Sequence, residues 1–139
     1  MIATISTIFA LGATFIVALF YFALAFGAPM GEYAFGRQLA NTAAVFNATA
    51  GRVLGGIYRV ISAFTGLAFL AISGHYASML EWLPSLLDAT GRDYVLWGLT
   101  GLWFLWFVSN LTSKNLQEKR MFTGISGALL FANILILAF

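Results

Sequence analysis

Four long runs without a charged side chain divide this sequence, and they constrain its fold more than any other feature. The runs occupy residues 5–26, 60–80, 94–113 and 121–139. A helix rises about 1.5 Å per residue, so about 20 residues cross the roughly 30 Å hydrocarbon core of a bilayer. Within lipid the backbone must satisfy its own hydrogen bonds, and a helix does so within one segment. The runs therefore predict an all-α integral membrane bundle of four transmembrane helices, with residues 1–139 as one domain.

The composition points to lipid as the solvent for much of the surface. Hydrophobic residues make up 61% of the chain and charged residues 9%, against about 45–50% and about 25% in soluble domains. A chain of this length cannot bury such an excess. This excludes a soluble enzyme and a disordered segment, and a net charge of +2 without a basic stripe excludes nucleic-acid binding. With no cysteine, one histidine and five carboxylates, we expect no catalytic residue, no metal site and no enzymatic activity.

The first run is expected to remain in the protein as a helix. A secretory signal peptide begins with basic residues and has an apolar stretch of about 7–15 residues. The run at 5–26 is longer, and no basic side chain precedes it.

The basic residues predict the orientation of the bundle. One of the seven, Arg92, lies between the second and third runs. Short loops rich in Lys and Arg stay in the cytoplasm. We therefore expect a multi-pass protein of a bacterial inner membrane with both termini outside the cytoplasm. The other six basic residues lie in the first and third connections, on the opposite side: Arg37, Arg52, Arg59, Lys114, Lys119 and Arg120.

The segment at 34–50, between the first two runs, has apolar residues at helical spacing and polar residues at other angles. This pattern predicts an amphipathic helix lying in the cytoplasmic membrane interface. A polar loop rich in Ala and Thr is the alternative. The residues at helical spacing are Phe35, Leu39, Ala43, Phe46 and Ala50.

Two charged residues flank the membrane on the cytoplasmic side and are candidates for transport. Glu32 follows a turn that contains glycine and proline; it is a proton or cation site, a buried partner of Arg59, or an ordinary interfacial carboxylate. Arg59 begins the second run, where arginine either extends to the interface or contacts a substrate. The centre of each run holds no charged group, which disfavours ion-coupled transport.

Three residues are candidates for binding a cofactor. His75 is the lone histidine, and Ala71 four residues earlier would let a flat macrocycle approach; the alternative is an interfacial hydrogen-bonding histidine. Trp103 and Trp106 share a helix face that could pack on a carotenoid, a quinone or a neighbouring subunit, or on lipid and the bundle itself. We expect no bound group other than lipid, with a pigment or a quinone as the alternative.

Small and amide residues predict how the helices associate. Gly98 and Gly101 on the third run would let helix backbones approach closely. Asn133 lies deep in the fourth run, where an amide facing lipid would be poorly satisfied. We therefore expect Asn133 to hydrogen-bond to another helix.

Three motifs carry a family resemblance: GAPMGEY at 27–33, RVLGGIYRVISAF at 52–64 and SNLTSKNLQEKRMF at 109–122. They resemble a family of small bacterial membrane proteins of uncharacterised function, marked by a GAP-x-GEY motif. Members of that family tend to have tryptophan in place of Met30 and a proline pair in place of Gly55 and Gly56, and the segment at 34–50 is longer in this chain. The resemblance implies a four-helix topology and no known activity.

Together these features predict a non-enzymatic accessory, assembly or structural subunit. Its partners would be membrane lipids and either a larger membrane complex or further copies of itself. One alternative is a small oligomeric transporter or channel that uses Glu32 and Arg59. A second is a pigment- or quinone-associated subunit that uses His75 and the aromatic residues of the third run.

Overall fold

The computed structural model describes residues 1–28, 48–113 and 116–139. The described residues form α-helices and no strand, which confirms the predicted all-α class. Each helix contains a stretch long and apolar enough to cross a membrane. The four helices are α1 (Ile2–Ala25), α2 (Ala48–Met79), α3 (Ala89–Thr112) and α4 (Leu116–Ala138).

All four helices begin before the corresponding apolar runs, and α2 does so by the largest margin. The start of α2 at Ala48 lies well before the charge-free run at 60–80. The start of α3 is capped by Asp88, whose side chain accepts a hydrogen bond from the Gly91 amide at 2.8 Å, so residues 89–93 belong to the helix although they precede the run at 94–113. Charged residues end the part of a helix that lies in lipid, but they do not end the helix. The interfacial helix predicted at 34–50 falls mostly outside the described residues.

The helices pack in a definite order. The backbone of α1 lies close to those of α2 and α4, and α3 lies close to α4. Large side chains join α2 to α3: the Phe69 ring stacks on Trp103 with centroids 5.8 Å apart, and Tyr76 hydrogen-bonds to the same indole. Aromatic side chains thus bridge α2 and α3, and two of them, Tyr76 and Trp103, belong to the buried core.

The C-terminus of α1 is closed by a glycine in the left-handed region. The amide of Gly27 donates to the Leu24 carbonyl at 3.0 Å, and the amide of Ala28 donates to the Ala23 carbonyl at 2.9 Å. This pair of bonds is the Schellman pattern, and Gly27 has the required positive φ of 94°. The guanidinium of Arg59 lies against Gly27, where a cation is favoured by the negative end of the helix dipole.

The C-terminus of α2 has the same pattern without a glycine. The amide of Glu81 donates to the Ser78 carbonyl at 3.2 Å, and that of Trp82 donates to the Ala77 carbonyl at 3.0 Å. Glu81 occupies the left-handed position with φ 59°. A side chain in this conformation costs about 1–2 kcal/mol per residue.

These two helix ends predict opposite effects of substitution. Glu81→Gly should raise the free energy of unfolding in detergent by about 0.5–1 kcal/mol, because relief of the left-handed strain exceeds the entropy that glycine adds to the unfolded chain. Gly27→Ala should lower it by about 1 kcal/mol. Unfolding by sodium dodecyl sulfate, followed by circular dichroism, measures both. A Glu81→Gly variant less stable than the parent would contradict the assignment.

Candidate functional site

Four polar side chains inside the bundle form a ring of hydrogen bonds across α2, α3 and α4. The Trp103 indole Nε1 donates to the hydroxyl oxygen of Tyr76 at 3.3 Å, and that hydroxyl donates to Asn133 Oδ1 at 2.5 Å. The amide of Asn133 donates to Thr100 Oγ1 at 3.4 Å, which donates to the Leu96 carbonyl at 2.8 Å. Each group in this polar ring therefore has a partner without water, as a site at membrane depth requires.

The hydrogen-bonded ring begins and ends on α3. Thr100 and Trp103 are one turn apart on α3, and they bond to the other two helices through Asn133 and Tyr76. Asn133 is 0% exposed and Trp103 1% exposed. The Asn133 amide, for which the sequence predicted a partner on another helix, thus bonds to two helices at once. The arrangement holds three helices in one register and brings no pair of ionisable groups together.

Two further polar contacts join α1 to α2 and add a second link between α3 and α4. The Ser73 hydroxyl of α2 donates to Thr14 Oγ1 of α1 at 2.9 Å, with both side chains buried. The Asn110 amide of α3 donates to Ser126 Oγ of α4 at 3.4 Å. Interhelical bonds of this kind each contribute about 0.6–2 kcal/mol in membranes. Polar bonding therefore extends across the whole described bundle.

An aromatic cluster fills the space next to the polar ring. The rings of Trp103 and Trp106 have centroids 5.7 Å apart, and Trp106 lies 5.6 Å from both Phe69 and Phe122. Both tryptophans proposed for cofactor binding thus pack on aromatic rings of this chain. The cluster takes residues from all four helices: Phe20, Tyr21, Phe69, Trp103, Trp106 and Phe122.

His75 lies on a different surface, at a cavity of about 500 Å³. One wall is α2, with Ala71, Gly74 and Ser78 around the imidazole, and the other is the connection at 83–87. The buried Nε2 atom of His75 has no hydrogen-bond partner among the described atoms. The structure therefore separates this histidine from the tryptophans with which it was grouped.

The glycines of the bundle fall into two groups. A Cβ atom added to Gly98 or Gly101 would meet nothing within 4 Å among the described residues, so both face away from the other helices. A Cβ atom at Gly66 of α2 would lie 3.1 Å from the Phe22 ring of α1, and one at Gly127 of α4 would lie 3.0 Å from a ring of α3. Among the described residues, the close contacts between helices therefore occur at Gly66 and Gly127, and not at Gly98 and Gly101.

The two charged transport candidates are only partly placed. Arg59 is exposed and lies at the C-terminal end of α1 against Gly27. Glu32 lies outside the described residues. Its pairing with Arg59 therefore stays a prediction.

Sequence reasoning missed Tyr76 and Thr100 as partners of Asn133. Tyr76 follows His75 near the end of a run and reads as an interfacial tyrosine, while Thr100 resembles other hydroxyl residues that bond to their own helix. A buried amide needs a hydroxyl partner, but one sequence offers many hydroxyls at similar depth. Which of them it meets depends on the order of the helices around the bundle.

Removing the amide at the centre of the polar ring should weaken the fold moderately. Asn133→Leu keeps the branched shape of the side chain but leaves the Tyr76 hydroxyl without its acceptor, so we expect a loss of about 1–2 kcal/mol in the free energy of unfolding. Denaturant titration in detergent measures the change. Ile134→Val, at the exposed neighbouring position, is the control and should change little. An Asn133→Leu protein as stable as the parent would mean that the amide contributes nothing to the bundle.

No known protein-family model matches the chain, and no curated protein or solved structure is detectably similar to it. The family resemblance drawn from the three sequence motifs stays a prediction.

Proposed function

We propose that this protein is a non-enzymatic accessory or structural subunit that packs beside a larger membrane protein complex in a bacterial inner membrane. One observation carries the proposal: the α3 face that bears Gly98 and Gly101 points away from the other described helices, and a Cβ atom added there meets no described atom within 4 Å. Glycines on a lipid-facing surface let the backbone of a second helix approach closely.

The neighbours of the two glycines are large apolar side chains. Trp97 is 64% exposed and Leu105 is 67% exposed, and both lie on this outward side of α3 with Phe104. Two glycines between such side chains make a shallow groove on the helix. The groove suits a helix of a partner, whose side chains would fill it and whose surface would cover the aromatic rings.

The interior of the bundle supports the same proposal. Several of its buried amides and hydroxyls bond across helices, as at Asn133 and Tyr76, and so hold the helices of this chain together. What remains on the outward α3 face is apolar surface, which recognises a partner by packing. A subunit that binds its partner by packing alone needs no charged or reactive group on this face.

Site-specific photocrosslinking in native membranes tests the proposal. A benzoylphenylalanine at Leu105, beside the groove, should give one discrete adduct with a second membrane protein. The same residue at Ile16, which is 65% exposed on α1, serves as the control and should react with lipid. Gly101→Leu should abolish the Leu105 adduct without changing stability in detergent, because its added side chain meets no described atom.

Three outcomes would overturn the proposal. Equal adducts from Leu105 and Ile16 would mean that α3 has no preferred partner. An adduct that survives Gly101→Leu would mean that the groove is not the contact. An adduct containing two copies of this chain and nothing else would replace the accessory subunit by a homo-oligomer.

The proposed orientation has its own expected result. Six of the seven basic residues flank the first and third connections, which favours a cytoplasmic location for both. A reporter that is active only in the periplasm should therefore be active when fused after Phe139 and silent when inserted at Asn115. The opposite pair of activities would invert the topology.

A further inference from the structure

The connection between α2 and α3, residues 80–88, exposes large apolar side chains. Leu86 is 98% exposed, Trp82 is 63% exposed, and Leu83 between them is exposed as well. Apolar side chains exposed close together mark a surface that contacts a membrane or another protein. The connection is therefore a candidate interaction surface that neither the polar ring nor the glycine groove uses.

The connection folds back along the flank of α2. Residues 83–87 face Ala71, Gly74 and Ser78 of α2 across a cavity of about 500 Å³. Ala71 precedes Met79, the last residue of α2, by about 12 Å along the helix axis. The connection thus approaches a part of α2 that lies within its membrane-spanning stretch, Gly56–Met79, instead of projecting straight out from the helix end.

Hydrogen bonds hold the connection in this shape. Glu81 takes the left-handed conformation with φ 59° where the chain leaves α2, and the Trp82 amide donates back to the Ala77 carbonyl at 3.0 Å. Further on, the Ser85 hydroxyl donates to the Leu87 carbonyl at 2.7 Å and accepts from the Leu87 amide at 3.3 Å. The apolar side chains therefore project from a backbone of defined shape.

The head-group region of the bilayer is the medium at this level. Two stretches long enough to cross a membrane end at Met79 and begin at Ala89, so the connection stays close to the membrane surface. A loop exposed to lipid does not occur in the hydrocarbon core, where its backbone would lack partners, whereas tryptophan is favoured among the head groups. Ala71, on the flank that the connection approaches, is exposed, so the apolar patch adjoins surface that the bundle turns to lipid.

The charged residues around the connection do not favour anionic lipids. Residues 80–94 contain three carboxylates, Glu81, Asp88 and Asp93, and one cation, Arg92. Anionic head groups attract clusters of basic residues. Contact of this segment with a bilayer therefore depends on its apolar side chains and needs no charged lipid.

We propose that the connection at 80–88 is inserted into the leaflet at this end of the bundle, with Trp82, Leu83 and Leu86 at the boundary between head groups and acyl chains. Interfacial segments bind a bilayer by burying apolar side chains at this boundary. The contact holds the adjoining ends of α2 and α3 at a fixed depth. It uses no residue of the glycine groove on α3, so this proposal and the accessory role can fail separately.

The depth of a spin label tests the proposal. The chain has no cysteine, so one introduced cysteine carries the nitroxide, and the full-length protein is reconstituted in phosphatidylcholine vesicles. Power-saturation electron paramagnetic resonance compares collisions with oxygen, which concentrates in lipid, and with a nickel complex, which stays in water. Oxygen should dominate at Leu86→Cys, as at the lipid-facing control Ile16→Cys, and the nickel complex at the exposed, charged position Asp93→Cys.

A second pair of variants tests whether the apolar side chains hold the connection in the leaflet. With the label at Leu83→Cys, Leu86→Glu should shift the balance of collisions from oxygen to the nickel complex, because a carboxylate stays in water. Leu86→Ile is the matched control and should leave the balance unchanged. The side chain of Leu86 is almost fully exposed, so neither substitution disturbs the packing of the bundle.

Four results would overturn the proposal. Dominance of the nickel complex at Leu86→Cys would place the connection in water. Exclusion of both reagents from this label would mean that a second copy of the chain covers it. A discrete protein adduct from benzoylphenylalanine at Leu86 in native membranes would replace the lipid by a protein partner. Insertion that requires added phosphatidylglycerol, or a Leu83 label that does not respond to Leu86→Glu, would show that apolar contact is not what holds the segment.

Discussion

Trp103→Ala is expected to lower the free energy of unfolding by about 3 kcal/mol. Truncating a buried aromatic residue costs about 3–5 kcal/mol in soluble proteins. We use the lower end of this range because the helices of the unfolded protein stay in lipid or detergent, which is also apolar. The substitution therefore removes packing contacts and a hydrogen bond, without a gain from transfer out of water. Trp103 is 1% exposed, stacks on Phe69, contacts Trp106 and donates to Tyr76.

Trp97→Ala is the matched control for this experiment. Trp97 lies on the same helix and is 64% exposed, so its removal should change the unfolding free energy by about 0.5 kcal/mol or less. Unfolding of both variants by sodium dodecyl sulfate, followed by far-ultraviolet circular dichroism, gives the comparison. Equal losses at the two positions would contradict the placement of Trp103 in the core.

Gly66→Leu is expected to separate α1 from α2 and to cost about 3 kcal/mol, the upper part of the range for overpacking. An added Cβ would lie 3.1 Å from the Phe22 ring and 3.3 Å from the backbone oxygen of Ala18. The ring can turn aside, but the backbone oxygen moves only if the whole of α1 moves. A leucine, which extends three carbons beyond the Cβ, cannot be accommodated at this crossing.

Gly74→Leu provides the control on the same helix. The two substitutions make the same change in helix propensity, which favours leucine over glycine by up to about 1 kcal/mol. A Cβ atom at Gly74 meets nothing within 4 Å among the described residues. Thermal unfolding in detergent should therefore show Gly74→Leu at or above the stability of the parent and Gly66→Leu well below it. Similar behaviour of the two variants would mean that α1 and α2 do not cross at Gly66.

The number and type of the transmembrane elements followed from the sequence alone. A charge-free run such as 5–26 is long enough to cross a bilayer, and lipid leaves the helix as the structure in which one segment satisfies its own backbone. That argument needs no knowledge of neighbouring helices. The same reasoning predicted that Asn133 would find a partner on another helix, because an amide in hydrocarbon has no water to bond.

Helix boundaries were less predictable for a definite reason. A charge-free run detects only the central part of a helix: α2 begins at Ala48 and α3 at Ala89, before the runs that start at residues 60 and 94. At α3 the capping residue, Asp88, precedes two charged residues of the first helical turns, Arg92 and Asp93. Water satisfies such side chains, so a helix continues through them without interruption.

Only the tertiary structure decided which residues face inward. Trp97 and Trp103 belong to one apolar helix, yet one is exposed and the other is buried. Gly66 touches another helix, whereas Gly98 faces open space. In water, hydrophobicity distinguishes the inner from the outer face of a helix, but in a bilayer both faces are apolar. Burial is then set by shape and by buried hydrogen bonds such as that of Tyr76 with Asn133, and these exist only once the helices are packed.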